Sequence, residues 1–203
     1  MDRSNEISSL ETKEKSKEKK ARLPMLFDAL EIFCLSAVLV ILIFTFVGRL
    51  ATVVGDSMEP TLQNGDRLLV SSFFYTPECG DIVVVQKESG YYDDQLLIKR
   101  VIAKGGQTVT FDFASWTVSV DGRVIDEPYI NRVFGAAMKK GDITGDTVTV
   151  PEGCYFVMGD NRNASSDSRY DTVGFVKKTE IVGRAVYRIS PSAEKLFITP
   201  TEE

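Results

Sequence analysis

The chain is 203 residues long, with 43% hydrophobic and 26% charged residues, which is typical of one folded domain with a short appendage. Its net charge is −5 and its globular part has no strongly basic stretch, which argues against nucleic acid as a partner. The sequence contains no histidine, so histidine-based catalytic triads and histidine-ligated zinc sites are excluded. The base of any hydrolytic reaction must then come from lysine, aspartate, glutamate or tyrosine, and no cofactor is expected.

Residues 1–28 form a charged tail in which basic residues crowd between Lys13 and Arg22. Glutamates at helical spacing among them allow a frayed helix, and disorder is an equal alternative. The tail is predicted to lie in the cytoplasm, because basic residues gather on that side of a membrane span and only Arg49 follows directly behind the next segment.

Residues 29–48 are predicted to cross a bilayer as one helix. No residue from Ile32 to Gly48 is charged, and apolar side chains cover every face over a length that reaches a membrane span. A buried core helix would be unusually long and apolar, and a cleavable signal peptide would need an A-x-A site that the following RLATVVGDSM lacks. A retained anchor is therefore expected, with residues 49–203 on the extracytoplasmic side.

From residue 49 onward the sequence predicts a β-rich domain. Short runs rich in valine, isoleucine, phenylalanine and tyrosine alternate with turn residues, as in DIVVVQ, LLIKRVIA and IVGRAVYRI. The segment WTVSVDGRVI predicts a hairpin, because its Asp121-Gly122 pair suits a type I′ turn. Helical periodicity is almost absent, and residues 174–182 predict at most a turn. The predicted fold class is mainly β, as one extracytoplasmic domain on a single helix.

The three cysteines leave two alternatives open. Cys34 lies in the apolar run, where it behaves as a small hydrophobic residue. Cys79 and Cys154 can form a disulfide in an oxidising compartment or stay as two free thiols. Three scattered cysteines are too few for a metal cluster, so no metal site is predicted.

Ser57 lies in the loop VVGDSMEPTLQNGD, right after the predicted anchor. Gly55 and Pro60 indicate a turned backbone at this position instead of a strand. A serine in a loop is most often a solvated hydroxyl, so this segment alone does not distinguish a nucleophile from an ordinary surface residue.

The run LLIKRVIA places a cation in an apolar setting. Alternation puts Leu97, Lys99 and Val101 on one face of a strand and Arg100 on the other, and both faces are otherwise apolar. Pattern alone does not choose between the two cations. Arginine keeps its proton in proteins, whereas burial lowers the pKa of a lysine, whose neutral amine can take a proton from a serine. The alternative is that Lys99 extends to the surface at the strand edge.

A third segment, MGDNRNASSDSRYDTVGFV, follows the apolar run CYFV and is dense in polar side chains. It predicts either a surface loop with Asx turns or a set of charge-assisted hydrogen bonds beside a functional site. The residues concerned are Asp160, Asn161, Arg162, Asp167 and Arg169.

Together these segments resemble the bacterial type I signal peptidases, the leader peptidase family. The resemblance extends from about Phe33 to Ile189 and is carried by GDSMEPTL, GDIVVV, KRVIAKGGQTV and GDNRNASSDSR, in this order. It implies a serine endopeptidase with a Ser-Lys dyad and a signal-peptidase-like β-fold, which removes signal peptides from exported preproteins. The segment between the lysine region and GDNR is short, and this feature together with the single anchor resembles the Gram-positive-type enzymes.

By this resemblance Ser57 is the nucleophile and Lys99 is the general base. The backbone N–H of Ser57 would hold the oxyanion, and many relatives add a serine hydroxyl two residues earlier, where this chain has Gly55. The second oxyanion donor is therefore open, with another backbone N–H or a water molecule as the alternatives.

The resemblance implies supporting roles for four further residues. Ser165 matches the serine that orients the lysine ammonium group. Asp167 and Arg169 match a supporting ion pair, and Arg100 matches a structural partner.

A substrate pocket is implied as well. Met58 matches a residue beside the nucleophile that shapes the pocket, and Val53 and Ile98 would line shallow apolar pockets for side chains one and three residues before the cut. Small pockets exclude larger side chains, which implies a preference for A-x-A-like sites. The expected partners are signal peptides and the phospholipid bilayer, and the chain is expected to be a monomer in the cell membrane.

Phe73, Phe74 and Tyr75 form an apolar cluster between two polar stretches. The cluster can help the domain rest on the bilayer surface or belong to the core, and both alternatives are open.

Two other functions are alternatives. A LexA-type self-cleaving regulator shares a Ser-Lys dyad and part of the β-fold, but it would be soluble and carry a DNA-binding domain. A non-enzymatic, membrane-tethered binding module would need the serine or the lysine to be dispensable. The signal peptidases of the endoplasmic reticulum and of archaea have a histidine in place of the lysine, which argues against them here.

Overall fold

The computed structural model describes residues 27–41, 48–87, 91–92 and 95–196. The chain divides into two units, Met1–Thr45 and Phe46–Glu203. The described part of the first unit is a helix, α1, at residues 27–41. Its one hydroxyl is satisfied locally, because Ser36 Oγ donates to the carbonyl oxygen of Ile32 at 2.8 Å.

Within the described ranges, no helix is both long enough and apolar enough to cross a membrane. The predicted span at residues 29–48 includes residues 42–47, which lie outside the described residues. Most of the predicted tail, residues 1–26, lies outside them as well.

The described part of the second unit contains twelve strands and one short 3₁₀ helix. The strands, in chain order, are β1 Arg49–Thr52, β2 Arg67–Ser71, β3 Ile82–Gln86, β4 Leu96–Lys104, β5 Thr108–Asp112, β6 Thr117–Val120, β7 Arg123–Val124, β8 Thr147–Thr149, β9 Cys154–Met158, β10 Val176–Lys177, β11 Ile181–Ser190 and β12 Glu194–Lys195. The 3₁₀ helix, Lys178–Glu180, lies within the segment predicted to form a turn. The mainly β fold class is confirmed for this unit.

The strands form two antiparallel sheets. The larger sheet has the order β1-β2-β11-β3-β4-β9-β10, with β12 paired to β11, and the smaller sheet has the order β7-β6-β5-β8. The predicted hairpin is confirmed as β6 and β7, and both turn residues, Asp121 (φ 52°) and Gly122 (φ 79°), have the positive φ that a type I′ turn requires.

Strand β4 is central to the core because both of its faces are buried. Ile98 belongs to an apolar cluster with residues from the start of the domain, and Val101 belongs to a second cluster with residues of β3 and β9. Ile102 belongs to a third cluster, in which the smaller sheet packs onto β4 and β9. The two cations of the strand are therefore enclosed, with Lys99 only 3% and Arg100 only 1% exposed. The alternative of a surface-exposed Lys99 is wrong.

All three cysteines, Cys34, Cys79 and Cys154, are free thiols, so the alternative of a disulfide is wrong for this structure.

The aromatic cluster divides between surface and core. Phe73 and Phe74 are exposed, with 93% of Phe74 accessible, so a core position is wrong for these two residues. Tyr75 packs against the cluster around β3 and β9, and its hydroxyl donates to Asp81 at 2.7 Å.

Candidate active site

Ser57 lies in a turn between β1 and β2. Met58 and Leu62 hold this turn in place, because both side chains are fully buried and the Leu62 N–H donates to the Met58 carbonyl at 2.9 Å. Gly55 has a φ of +86°, which L-residues rarely adopt, and its N–H donates to Asn64 Oδ1 at 3.0 Å. The serine is thus presented from a turn that is anchored in the core directly behind it.

Lys99 lies in the middle of β4, which is hydrogen-bonded to β3 on one side and β9 on the other. Its Nζ donates a hydrogen bond to Ser57 Oγ at 2.8 Å. The structure therefore brings together the serine and the lysine that the sequence singled out, although they are 42 residues apart in the chain.

The surroundings of Lys99 favour its neutral form. The pKa of Lys99 is lowered from 10.5 to about 8, mainly by burial; the carboxylates of Asp167 and Asp160 oppose this shift, and the positive charge of Arg169 adds to it. The net result is an amine that is neutral in about one molecule in ten at pH 7. Such a lysine can accept a proton from Ser57.

Asp167 and Arg169 form a fully buried ion pair behind the dyad. Arg169 donates to Asp167 through Nε at 2.8 Å and through Nη2 at 2.9 Å, and the Gly159 N–H donates to the same carboxylate at 3.0 Å. Burial by itself raises the pKa of Asp167, but the hydrogen bonds and charge of Arg169 outweigh it and hold that pKa below its ordinary value. The carboxylate therefore stays charged near Lys99.

Ser165 does not make the contact with Lys99 that the family resemblance implies. Its Oγ is buried and forms no hydrogen bond with any described residue, including Lys99, although it helps lower the pKa of Asp167. Ser165 lies close to Ser57, because a Cβ added to Gly159 would overlap Ser165 Oγ and lie 2.5 Å from the carbonyl oxygen of Ser57. Glycine at position 159 permits this close approach.

A cleft of about 240 Å³ opens beside Ser57 and Lys99. All three predicted pocket residues, Val53, Met58 and Ile98, line it. The remaining lining residues are Val54, Tyr92, Gln95, Leu96, Leu97 and Ser166, which sequence reasoning did not single out.

The five polar residues predicted in the segment after β9 all have buried side chains, so the alternative of a solvated surface loop is wrong for them. Asp160 accepts two hydrogen bonds from Arg100, from Nε at 2.8 Å and from Nη2 at 2.6 Å, and a third from Thr61 Oγ1 at 2.5 Å. Because Arg100 belongs to β4 and Thr61 to the turn that carries Ser57, this carboxylate links the strand of Lys99 to the turn of Ser57.

Similarity to known proteins identifies the family. The family model described as signal peptidase, peptidase S26, matches residues 26–190. A probable signal peptidase I-1 of Synechocystis is 38% identical over 182 residues, covering 86% of this chain and 84% of the relative. A signal peptidase I of Bacillus licheniformis is 36% identical over 189 residues, covering 90% of this chain and 97% of the relative.

The chain belongs to the signal peptidase I family. It is therefore a peptidase, and this membership favours the peptidase over the LexA-type regulator and the non-enzymatic binding module. Among solved structures, a signal peptidase I from Enterococcus faecalis V583 is 32% identical and covers 54% of this chain and 97% of its own, with a TM-score of 0.44.

One ion pair beside the site was missed by sequence reasoning. Arg162 is fully buried and binds both carboxylate oxygens of Glu127, which also accepts a hydrogen bond from the Tyr129 hydroxyl at 3.0 Å. The ring of Tyr129 lies 3.8 Å from the guanidinium carbon of Arg100. Glu127 lies in a loop with no motif around it, and only the apolar surroundings in the fold reveal that its carboxylate is buried.

Proposed function

We propose that this member of the family is a membrane-anchored serine endopeptidase that removes signal peptides from exported preproteins through a Ser57–Lys99 dyad. The observation that carries the proposal is the 2.8 Å hydrogen bond between the buried Lys99 Nζ and Ser57 Oγ at a cleft of about 240 Å³. Because the chain has no histidine, the lysine is the base within reach of the nucleophile.

In the proposed mechanism, neutral Lys99 takes the proton of Ser57 as Oγ attacks the carbonyl carbon of the scissile bond. The ammonium group formed on Lys99 then protonates the leaving amine, so the peptide bond breaks and an acyl-enzyme remains. In the second half, Lys99 takes a proton from water, the resulting hydroxide attacks the ester, and the proton returns to Ser57 Oγ as the signal peptide leaves with a free carboxylate.

The negative oxygen of each tetrahedral intermediate needs a donor, for which we propose the backbone N–H of Ser57. Among the described residues this N–H has no acceptor, which leaves it available to a substrate. Gly55 has no hydroxyl to add, and a Cβ placed there would have no atom within 4 Å, so this side of the site is open.

The supporting residues limit the effect of their own charges on the base. Arg169 opposes Asp167 in its effect on the pKa of Lys99, so the pair raises that pKa less than Asp167 alone would. For Ser165 we propose contact with the ammonium group that forms during the reaction, since its buried hydroxyl has a free hydrogen-bonding capacity among the described residues.

The cleft supports a preference for small side chains. Val53 and Ile98 are buried and β-branched, so their side chains are stiff and narrow the cleft beside the nucleophile. With Met58 at its base, the cleft would admit alanine-sized residues at the positions one and three before the cut and exclude larger ones.

For the membrane, we propose residues 29–48 as the single span, a cytoplasmic tail at residues 1–28 and an extracytoplasmic domain at residues 49–203. The apolar side chains of α1 are exposed, as expected of a segment surrounded by lipid. The exposed Phe73 and Phe74 would contact the bilayer surface, and the domain would work as a monomer beside emerging signal peptides.

The test is cleavage of a preprotein with an A-x-A site by the detergent-solubilised full chain. Ser57→Ala and Lys99→Ala are each expected to lose at least a thousandfold in kcat/KM, in the range found when a nucleophile or its base is removed. Lys104→Ala is the matched control, because this lysine lies on the same strand but is 40% exposed and pairs with Glu78. Near-normal turnover by either dyad variant would contradict the assignment.

A further inference from the structure

Two hydrogen bonds from Asn161 hold the peptide units on both sides of the nucleophile. The side-chain Nδ2 of Asn161 donates to the carbonyl oxygen of Asp56 at 3.1 Å, and its backbone N–H donates to the carbonyl oxygen of Ser57 at 3.0 Å. Asn161 is itself only 8% exposed. The adjacent Asp160 is fixed by its bonds to Arg100, so Asn161 is presented from a rigid segment.

The bond to Asp56 helps determine where the Ser57 N–H points, together with the Glu59 N–H, which donates to the same carbonyl oxygen at 3.1 Å within the turn. The Asp56 carbonyl and the Ser57 N–H belong to one planar trans peptide unit, in which the two groups point in opposite directions. An amide donor that fixes the carbonyl oxygen therefore also fixes the N–H, which is directed away from Asn161. Among the described residues that N–H meets no acceptor.

The restraint on the Ser57 N–H matters more here than in a site where a serine hydroxyl is the second donor to the oxyanion. Position 55 is a glycine in the left-handed region, so the residue two positions before Ser57 supplies no side-chain donor. An oxyanion donor is effective only when it is already aimed at the place where the charge develops. Asn161 contributes to this orientation of the Ser57 N–H from the opposite edge of the peptide unit, through the Asp56 carbonyl oxygen.

We propose that Asn161 is the positioning residue of the oxyanion hole, orienting the Ser57 N–H through the Asp56 carbonyl without touching the substrate. This inference rests on the proposed role of Ser57. It predicts a defect confined to the transition state, because neither the cleft nor Lys99 depends on the Asn161 amide.

The experiment compares three variants of the detergent-solubilised full chain. Asn161→Ala removes the amide donor. Asn161→Asp keeps the shape but places a carboxylate against the Asp56 carbonyl. Asn163→Ala is the matched control, because the Asn163 amide also donates to a backbone carbonyl, that of Ala137 at 3.0 Å, with no contact to the nucleophile turn.

We expect both Asn161 variants to lose ten- to a hundredfold in kcat, with KM within twofold, and the pH midpoint of the reaction should be unchanged in Asn161→Ala, which adds no charge. The affinity for a peptide aldehyde, whose adduct with Ser57 carries a negative oxygen, should fall in parallel with kcat. The affinity for an uncleavable peptide of the same sequence should remain. Asn163→Ala should stay within twofold in every measurement.

The proposal is overturned if both Asn161 variants keep kcat, if their loss lies in KM, or if aldehyde and uncleavable peptide weaken equally. A kcat loss matched by Asn163→Ala would also overturn it, as a general effect on the loop. If instead Ser57→Ala retains activity, the dyad itself fails. If Ser57→Ala is inactive while Asn161→Ala is normal, only the positioning role fails.

Discussion

Replacing Lys99 with methionine is expected to stabilise the folded chain at neutral pH. Methionine has a similar length and no charge, so the substitution removes a buried cation from an apolar strand while the strand stays filled. A gain of stability at the cost of activity is the behaviour expected of a residue whose burial serves catalysis.

The expected gain follows from the pKa of Lys99, which is about 8 in the folded chain against an ordinary value of 10.5. A difference of about 2.5 pKa units corresponds to about 3 kcal/mol of penalty on the charged form. At pH 7 both folded and unfolded chains hold the proton, so the full penalty applies. Between pH 8 and 10.5 the folded chain releases its proton first, and the penalty at pH 10 falls below about 1 kcal/mol.

The assay is unfolding of the detergent-solubilised chain in urea, with the free energy of unfolding compared between wild type and Lys99→Met at pH 7 and pH 10. Trp116 is the single tryptophan of the sequence and is buried in the domain core, so its fluorescence reports on the catalytic domain. A variant that is no more stable than wild type at pH 7, or whose gain does not shrink at pH 10, would refute the reasoning.

Three other predictions concern the same site. The kcat/KM of the wild type should rise about tenfold per pH unit up to about pH 8 and then level off, while Lys99→Arg stays inactive throughout; a flat profile down to pH 5 contradicts a lysine base. Arg100→Lys should lower the free energy of unfolding by about 3 kcal/mol, because it breaks the buried bidentate pair with Asp160. Arg184→Lys, at the partly exposed pair with Asp81, should lower it by less than about 1 kcal/mol, and equal losses in the two variants would contradict the argument. Gly159→Ala should reduce kcat/KM at least tenfold, because the new methyl group overlaps Ser165; a fully active variant would show that the loop can move aside.

The parts of the structure that depend on local pattern were predictable from the sequence. The strands and the hairpin at Asp121-Gly122 follow from alternation and turn chemistry, which act between near neighbours. Alternation also indicated that one cation of LLIKRVIA lies in an apolar setting, but it did not choose Lys99 over Arg100 or exclude an exposed Lys99. The meeting of Ser57 and Lys99 followed from the family resemblance, since no local pattern relates a turn to a strand 42 residues later.

The parts that depend on pairing between distant segments were not predictable. Arg162 and Glu127 are separated by 35 residues and Arg100 and Asp160 by 60, and neither pair has a sequence signal that names its partner. The position of β11 between β2 and β3 was not predictable either, because strand order is decided by packing across the whole domain. The contact predicted for Ser165 with Lys99 depends on a side-chain rotamer, which sequence does not specify.

Strand register is itself part of this active site. In β4, Lys99 and Arg100 are neighbours and point to opposite faces, with Lys99 paired to Val83 across the ladder. A shift of β4 by one residue would place Arg100 beside Ser57 instead of Lys99, with no change of sequence. Arginine keeps its proton in proteins and cannot act as a base. With the proposed dyad, the difference between a working peptidase and an inert β-domain depends on the backbone alignment of one strand.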